Sequence, residues 1–511
     1  MPYFDFHVHP ALKPQMSVPA QLPSPWEMIR IRFKRPNLIT ALLRCNGINE
    51  VVDSQASLAQ LIQGKVNLIA IALHPPETAM MNDGLIQRMA EEEQTQFIDL
   101  ARITDIGSGD IYYRMLNEEI FNLENNLQLN GKKLKLIKSI DDYKWSDNST
   151  ICAILTIEGP HAFFSARQHR PQSEIFLNFW GNFEEFTTAH RIFSLNIAHL
   201  QDNDFCNHAY GIQIFKPAPF FPNGNGITQH GFRLLQRMKE KSILLDIKHM
   251  SLYARKQLYD YRIAETEVPI ICTHAGLTGI SVNDRGRYII DAGNQGDHLA
   301  VKFYKPSGYL PGTSFNASTV NLYDEDVREI IFSGGMIGLS LDQRILGTPA
   351  EWMMGDDNMG DLYEEEFISP AESGYFLNVV RSTPDNSDII MREDITQHDK
   401  QDWPRFHARH FLNHVFHLFK IADKFNFNKA VMAKLICIGS DFDGMINPVD
   451  SCRNVTQFDK FKKYLIENFL EWETDFTEVT GIRISNFISP EELLENIFYK
   501  NGVDFLKQWY K

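Results

Sequence analysis

Residues 435–444 read LICIGSDFDG, residues 268–276 read VPIICTHAG and residues 242–251 read SILLDIKHMS. Each is a short apolar run that breaks off in a side chain able to bind a metal: Asp441, His274 and His249. Runs of this length, rich in β-branched residues and bounded by polar or Gly/Pro clusters, are the mark of buried parallel strands. Working outward, the same reading predicts eight strands, at Tyr3–Phe6, Val66–Leu73, Ile151–Ile157, Ile192–Ala198, Ile243–Ile247, Pro269–Thr273, Met336–Leu341 and Leu435–Ile438. Helical stretches separate several of them. GITQHGFRLLQRMKEKS (226–242) has a helical apolar period, and LYDEDVREIIFSGG (322–335) ends in glycines that suit a helix C-terminus. Alternating strand and helix units place the chain in the α/β class. Eight such units point to a closed (β/α)8 TIM barrel with large insertions in its βα loops, in preference to an open doubly wound sheet.

The 511 residues are 43% hydrophobic and 23% charged, an ordinary globular balance that suits one barrel with insertions. The expected organisation is a single unit over residues 1–511, with insertions at about 75–150, 286–320 and 343–402. The last contains MMGDDNMGDLYEEEF (353–367), acidic and weakly periodic, which reads as an excursion over the barrel mouth or a partner-facing flap. A formal net charge of −15 repels phosphate backbones and anionic lipid, so no nucleic-acid partner is expected. No apolar run reaches the roughly 18–20 residues that cross a bilayer, and MPYFDFHVHP lacks the pattern of an export signal. The expectation is a cytoplasmic chain with no membrane span, or a periplasmic one if a leader has been trimmed. Six scattered cysteines, with no CxxC pair, read as reduced core residues.

In a barrel the C-terminal strand ends converge on one mouth, which is where the chemistry-bearing residues fall. Strand one ends in FDFHVHP (4–10), whose His7 and His9 stand two apart on extended chain and can reach one ion. Strand three ends in AILTIEGPHAFF (153–164), where Glu158 follows an apolar run and needs a charge partner; its two oxygens can bridge two cations. His249 and His274 end strands five and six. Asp441, just past Gly439 and Ser440, can orient a metal-bound water and take its proton, while Asp443 reads as an Asx-type turn residue. Any one of these alone is more often a core or loop residue. Four histidines and two acids at five strand ends form a mixed N/O set suited to two divalent ions, zinc or another first-row metal. Such a site polarises a carbonyl and activates water for amide hydrolysis.

His199, in FSLNIAHLQDND (193–204), ends strand four and can donate a hydrogen bond to an oxyanion at the same mouth. His74, in IALHPPE (71–77), reads as a turn residue because two prolines follow it. RFHARHFLNHVFHLF (405–419) puts His407, His410, His414 and His417 along one helical face. A helix leading into the last strand lies outside a barrel, so this stripe reads as a packing or partner-facing surface and not as a metal site.

With these motifs in order, the chain resembles the membrane (renal) dipeptidase family of zinc dipeptidases, within the amidohydrolase-like barrels. GSDFDG is similar to that family's eighth-strand G-[GS]-D-F-D-G run, DIKHMS to its D-[LI]-S-H segment with Lys248 in place of serine, THAG to its sixth-strand segment and EGPHA to its third. The likeness extends to NIAHLQDNDFCNHA (196–209), LYDEDVREIIFSGGMIG (322–338) and ENIFYKNGVDFL (495–506), and leaves out most of the insertions. The first-strand motif departs, with HxH where the family has HxD.

The resemblance implies that Glu158 bridges two zinc ions, that His249 and His274 complete one and that His7 and His9 serve the other. It implies proton handling by Asp441, substrate contact by His199, and an anchor for the substrate carboxylate at Arg285, in NDRGR (283–287). It also implies a homodimer and a small dipeptide substrate, with a D-residue allowed at the C-terminal position. The expected function is therefore a metal-dependent dipeptidase. The alternatives are hydrolysis of another small amide, lactam or phosphoester, or a metal-binding barrel without catalysis.

Overall fold

The computed structural model describes residues 2–17, 22–30, 51–82, 87, 90–91, 99–165, 170–211, 220–262, 268–348, 363–377, 388–389 and 402–511. Eight strands form the central sheet: β1 (Tyr3–Val8), β2 (Val66–Leu73), β3 (Thr150–Glu158), β4 (Ile192–Asn196), β5 (Leu244–Asp246), β6 (Ile270–Ala275), β7 (Met336–Leu339) and β8 (Ile436–Ile438). They pair in parallel and in sequence order from β1 to β8. The last returns to the first at the mouth. Val8 bridges Phe442, the His9 amide donates to the Phe442 carbonyl (2.9 Å) and the Asp441 amide to the His7 carbonyl (3.0 Å). The sheet is thus a closed (β/α)8 barrel, and each expected strand is present with its ends within two residues of those expected.

The inside of the barrel has two layers of opposite polarity. Residues from all eight strands, among them Phe6, Leu68, Ile154, Leu244, Met336 and Cys437, meet in one apolar cluster. The C-terminal helix Asn501–Trp509 closes that cluster with Phe505 and Leu506. It comes so near that a Cβ on Gly502 would lie 2.0 Å from the Phe4 ring, which explains the glycine. Towards the C-terminal ends the buried residues turn polar, with Asp5, His7, Glu158, Asn196, Asp246 and Thr273 all buried. Apolar packing against the outer helices holds the strands, leaving this polar layer for chemistry.

Two of the expected insertions form one structure. Ile289–Gln295, His298–Tyr304 and Tyr363–Ile368 make a three-stranded antiparallel sheet with His298–Tyr304 in the middle. Leu299, Val301 and Phe303 are buried while their neighbours are half-exposed, the period of two expected of a one-sided strand. Part of MMGDDNMGDLYEEEF is therefore regular: residues 353–362 lie outside the described residues, but YEEEFI is an edge strand. Within it Glu366 is buried and accepts from the Thr319 amide (2.9 Å) and hydroxyl (2.8 Å). In the 75–150 insertion, helices Leu100–Gly107 and Tyr112–Asn125 precede a short hairpin whose second strand, Lys132–Leu136, pairs with β3. Among the described residues no helix is long and apolar enough to cross a membrane. The described cysteines are all free and buried.

The histidine stripe lies on helix Trp403–Lys424 and is buried throughout, which corrects the partner-facing half of its reading. The 306–315 segment and the loops around it cover the helix, and the imidazoles satisfy their backbone. His414 accepts from the Leu277 amide (2.9 Å) and meets the Leu346 carbonyl (3.0 Å), His410 lies 3.2 Å from the Ser314 amide, and His417 joins Tyr309 (2.8 Å) to Asp324 (2.9 Å). Burial pushes the His414 pKa down to about 4. Between its ordinary 6.5 and that value the unfolded chain binds a proton that the fold refuses, so this stabilisation is lost as pH falls through the window. His414→Leu should lower the unfolding free energy at neutral pH by about 1–3 kcal/mol for each backbone group left unpaired. It should also flatten the acid dependence between those two pH values in urea titrations. Unchanged midpoints would remove the structural role.

Candidate metal centre

Six side chains predicted from the sequence meet at the mouth. His7 is next to last in β1 and His9 just follows the strand, Glu158 is the last residue of β3, His274 is next to last in β6, and His249 and Asp441 each lie three residues beyond their strands. The two that overshoot sit in tight turns. His249 (φ 68°) and Asp441 (φ 63°) adopt the left-handed conformation that non-glycine residues rarely take, as do Asp443 (φ 67°) and Met445 (φ 64°). Gly444 leaves the space that Asp441 uses, since a Cβ there would lie 2.1 Å from Asp441 Oδ1.

Two strand aspartates hold these turns. Asp5 accepts from the Ser440 amide (2.9 Å) and hydroxyl (2.5 Å), bracing the approach to Asp441. Asp246 accepts from the Lys248 amide (3.0 Å) and the Thr273 amide (3.2 Å), bracing the approaches to His249 and His274. The Thr273 hydroxyl also donates to Asp246 and lies 2.8 Å from His7 Nδ1. With Asp246 ionised, that hydroxyl can only accept from His7. The proton then sits on Nδ1 and the Nε2 lone pair faces the cluster, a tautomer fixed from behind as metal-bound histidines require.

The donor atoms are spaced as around a cation. His249 Nε2 and His274 Nε2 are 3.2 Å apart, and they lie 3.1 and 3.4 Å from Glu158 Oε1. On the other side, His9 Nε2 is 3.4 Å from Glu158 Oε2, 3.4 Å from Asp441 Oδ1 and 3.0 Å from His7 Nε2. His7 Nε2 is 3.7 Å from Glu158 Oε1 and 4.0 Å from Asp441 Oδ1. Metal–ligand bonds of about 2.0–2.1 Å in a tetrahedron put neighbouring donors roughly 3.3–3.4 Å apart. The observed separations, 3.0–4.0 Å, bracket that spacing. The residues therefore fit divalent cations, with Glu158 Oε1 towards His249 and His274 and Oε2 towards His9. Burial lowers the pKa of His9, of His249 to about 3, and of His274 well below the ordinary value, so these imidazoles stay neutral and able to ligate. Burial pushes Asp441 up to about 7, helped by Glu158 and Asp342 against His7. Burial would also raise Glu158, but His199 and His7 hold it well below the carboxylate range.

His199 reaches the same wall. Its Nε2 is 3.6 Å from Glu158 Oε1, while Nδ1 is 2.8 Å from Glu77 Oε2; the other Glu77 oxygen accepts from the Leu200 amide (3.2 Å). Burial alone would lower its pKa, yet Glu77 and Glu158 lift it to about 9. His74 is also here, and not merely in a turn: its Nδ1 lies 2.9 Å from the Glu158 carbonyl, on the same wall as His199. Asp443 does more than shape the DFDG turn, since it accepts from Lys13 (2.7 Å) and from the Gln55 (2.8 Å) and Ala56 (2.9 Å) amides. Arg285 stands apart. It is buried, donates to the Phe376 carbonyl (2.7 Å), stacks 3.8 Å over the Phe376 ring, and does not line the cavity. Sequence reasoning misses Glu77, Asp5, Asp246 and Thr273. Only Glu77, an acid just past a strand end, carries the signal that marks the others.

Fold and site together define a class: a closed barrel with a buried histidine–carboxylate cluster at its C-terminal mouth, the donor set of first-row divalent cations. No family model matches the chain, and no curated protein does. Among solved structures it is similar to a metallo peptidase from Rhodobacter sphaeroides liganded with a phosphinate mimic of the dipeptide L-Ala-D-Ala (14% identity, 100% of this chain and 99% of that chain, TM-score 0.47). It is also similar to dipeptidase AC, a metallo peptidase (14%, 100% and 99%, 0.45), and to the probable dipeptidase PvdM from Pseudomonas aeruginosa (13%, 89% and 89%, 0.43).

Thr273→Val keeps the volume but breaks the link from Asp246 to His7. It should weaken divalent-cation binding by about 10–100-fold in chelator competition, with the fold retained. Equal affinity would show that His7 needs no support from behind.

Proposed function

We propose that the chain is a metal-dependent hydrolase of small amide bonds, a dipeptidase in which His7, His9, Glu158, His249, His274 and Asp441 hold two divalent ions, zinc by their donor chemistry. The observation that carries this reading is Glu158, buried with one oxygen turned to His9 and the other to His249 and His274. Bound there, the ions would supply Lewis-acid polarisation of the substrate carbonyl and a water of lowered pKa.

The chain's own groups account for the rest of the reaction. Asp441, beside His9 and His7 on the cavity wall, accepts a proton from the attacking water and returns it to the leaving amine. His199 is kept protonated and oriented by Glu77, and its Nε2–H donates to the carbonyl oxygen as negative charge develops there. The cavity of about 130 Å³ admits a small molecule and is too small for a folded chain. Apolar Leu12, Met80, Leu200 and Ile345 line it and limit water at the reacting bond.

The test is release of free amino acids from L-Xaa-L-Xaa and L-Xaa-D-Xaa dipeptides by the metal-loaded protein. Asp441→Asn should lower kcat by about 100- to 10,000-fold. Metal binding without cleavage of any dipeptide would redirect the reading to another small amide, and full activity in Asp441→Asn would overturn the proton assignment.

A further inference from the structure

Among the described residues the fold pairs its buried lysines with acids, with one exception. Lys13 Nζ lies 2.7 Å from Asp443 and 2.8 Å from the Asp53 carbonyl, and Lys305 Nζ lies 3.0 Å from Glu364. Lys248 is as buried, at 2% exposure, yet among the described residues no carboxylate stands within ion-pair distance of its Nζ. Its acceptor is the Val320 carbonyl at 3.3 Å, long for an ammonium, whose charge-assisted bonds run at about 2.7–2.9 Å and which has three hydrogens to place. An ammonium with one long acceptor leaves donors free for an anion.

The neighbouring acids are engaged elsewhere. Glu158 and Asp441 face the histidines, and Asp246 accepts from Thr273 and from the Lys248 backbone. The other cationic groups that line the cavity are matched: Arg344 Nε lies 3.0 and 3.1 Å from the two Asp342 oxygens, and His199 Nδ1 lies 2.8 Å from Glu77. Arg285, the anchor implied by sequence resemblance, is capped by Phe376 away from the cavity. Lys248 lines the cavity beside His249.

We propose that Lys248 binds the anionic group of the substrate, the C-terminal carboxylate of a dipeptide, in place of an arginine. This rests on the dipeptidase reading and sharpens it. The site selects small amides that carry a carboxylate one residue from the bond cleaved, and it disfavours dipeptide amides and longer peptides, whose carboxylate falls outside the cavity.

The experiment compares a dipeptide free acid with its C-terminal amide in the metal-loaded wild type, Lys248→Met and Lys248→Arg, by kinetics and by calorimetric binding, with metal content measured for each. The wild type should prefer the free acid by roughly 10- to 150-fold in kcat/KM, the worth of hydrogen bonds to a charged group. Lys248→Met should close that gap chiefly through KM, and Lys248→Arg should restore part of it. A free-acid preference that survives in Lys248→Met at full metal content overturns the proposal. If no dipeptide is cleaved, binding decides separately: tighter binding of the free acid, lost in Lys248→Met, keeps the anion site and removes the peptidase reading. Equal binding of acid and amide removes the anion site too.

Discussion

A carboxylate buried at the end of a barrel strand has to be answered by positive charge or by hydrogen-bond donors, and Glu158 is answered on both oxygens. That demand organises the mouth. His9, just past β1, approaches one oxygen, the histidines after β5 and in β6 approach the other, which His7 also faces, and Asp441 stands beside His9 and His7 from beyond β8. The arrangement gathers residues that are hundreds of positions apart, and the closed barrel is what brings them within a few ångströms. The Val8–Phe442 junction that closes the sheet is also the point where His9 and Asp441 leave it, so closure of the fold and assembly of the site are one event.

Rigidity behind the donors comes from aspartates that never reach the cavity. Asp5 and Asp246 each accept hydrogen bonds from the turn that follows a strand, fixing Asp441 and His249 in left-handed backbone that would otherwise relax. Asp246 continues through Thr273 to His7, and Glu77 does the same for His199. A site tuned this way is held by hydrogen bonds one layer out, which keeps the donor spacing narrow.

The strands and the donors are legible in the sequence for physical reasons. A strand buried on both faces must be apolar throughout, so β2 and β3 stand out as runs, and a polar residue at the end of such a run is costly enough to signify. The supporting layer is hidden by the same rule. Asp246 and Thr273 lie inside runs whose apolar character masks them, and nothing in SILLDIKHMS shows that Asp246 serves His7 across the barrel. The three-stranded sheet is hidden because its strands come from two insertions separated by β7, and tertiary pairing is not a local signal. The histidine stripe is visible as a stripe, but its burial depends on the insertion that covers it.

The central claim is that one carboxylate organises two cation sites. Anomalous diffraction at the zinc edge from crystals of the zinc-loaded protein tests it most directly. The account predicts two peaks per chain, one beside His7 and His9 and the other beside His249 and His274, with a Glu158 oxygen at about 2.0–2.2 Å from each. A single peak, or peaks that leave Glu158 outside the coordination of either ion, would contradict it.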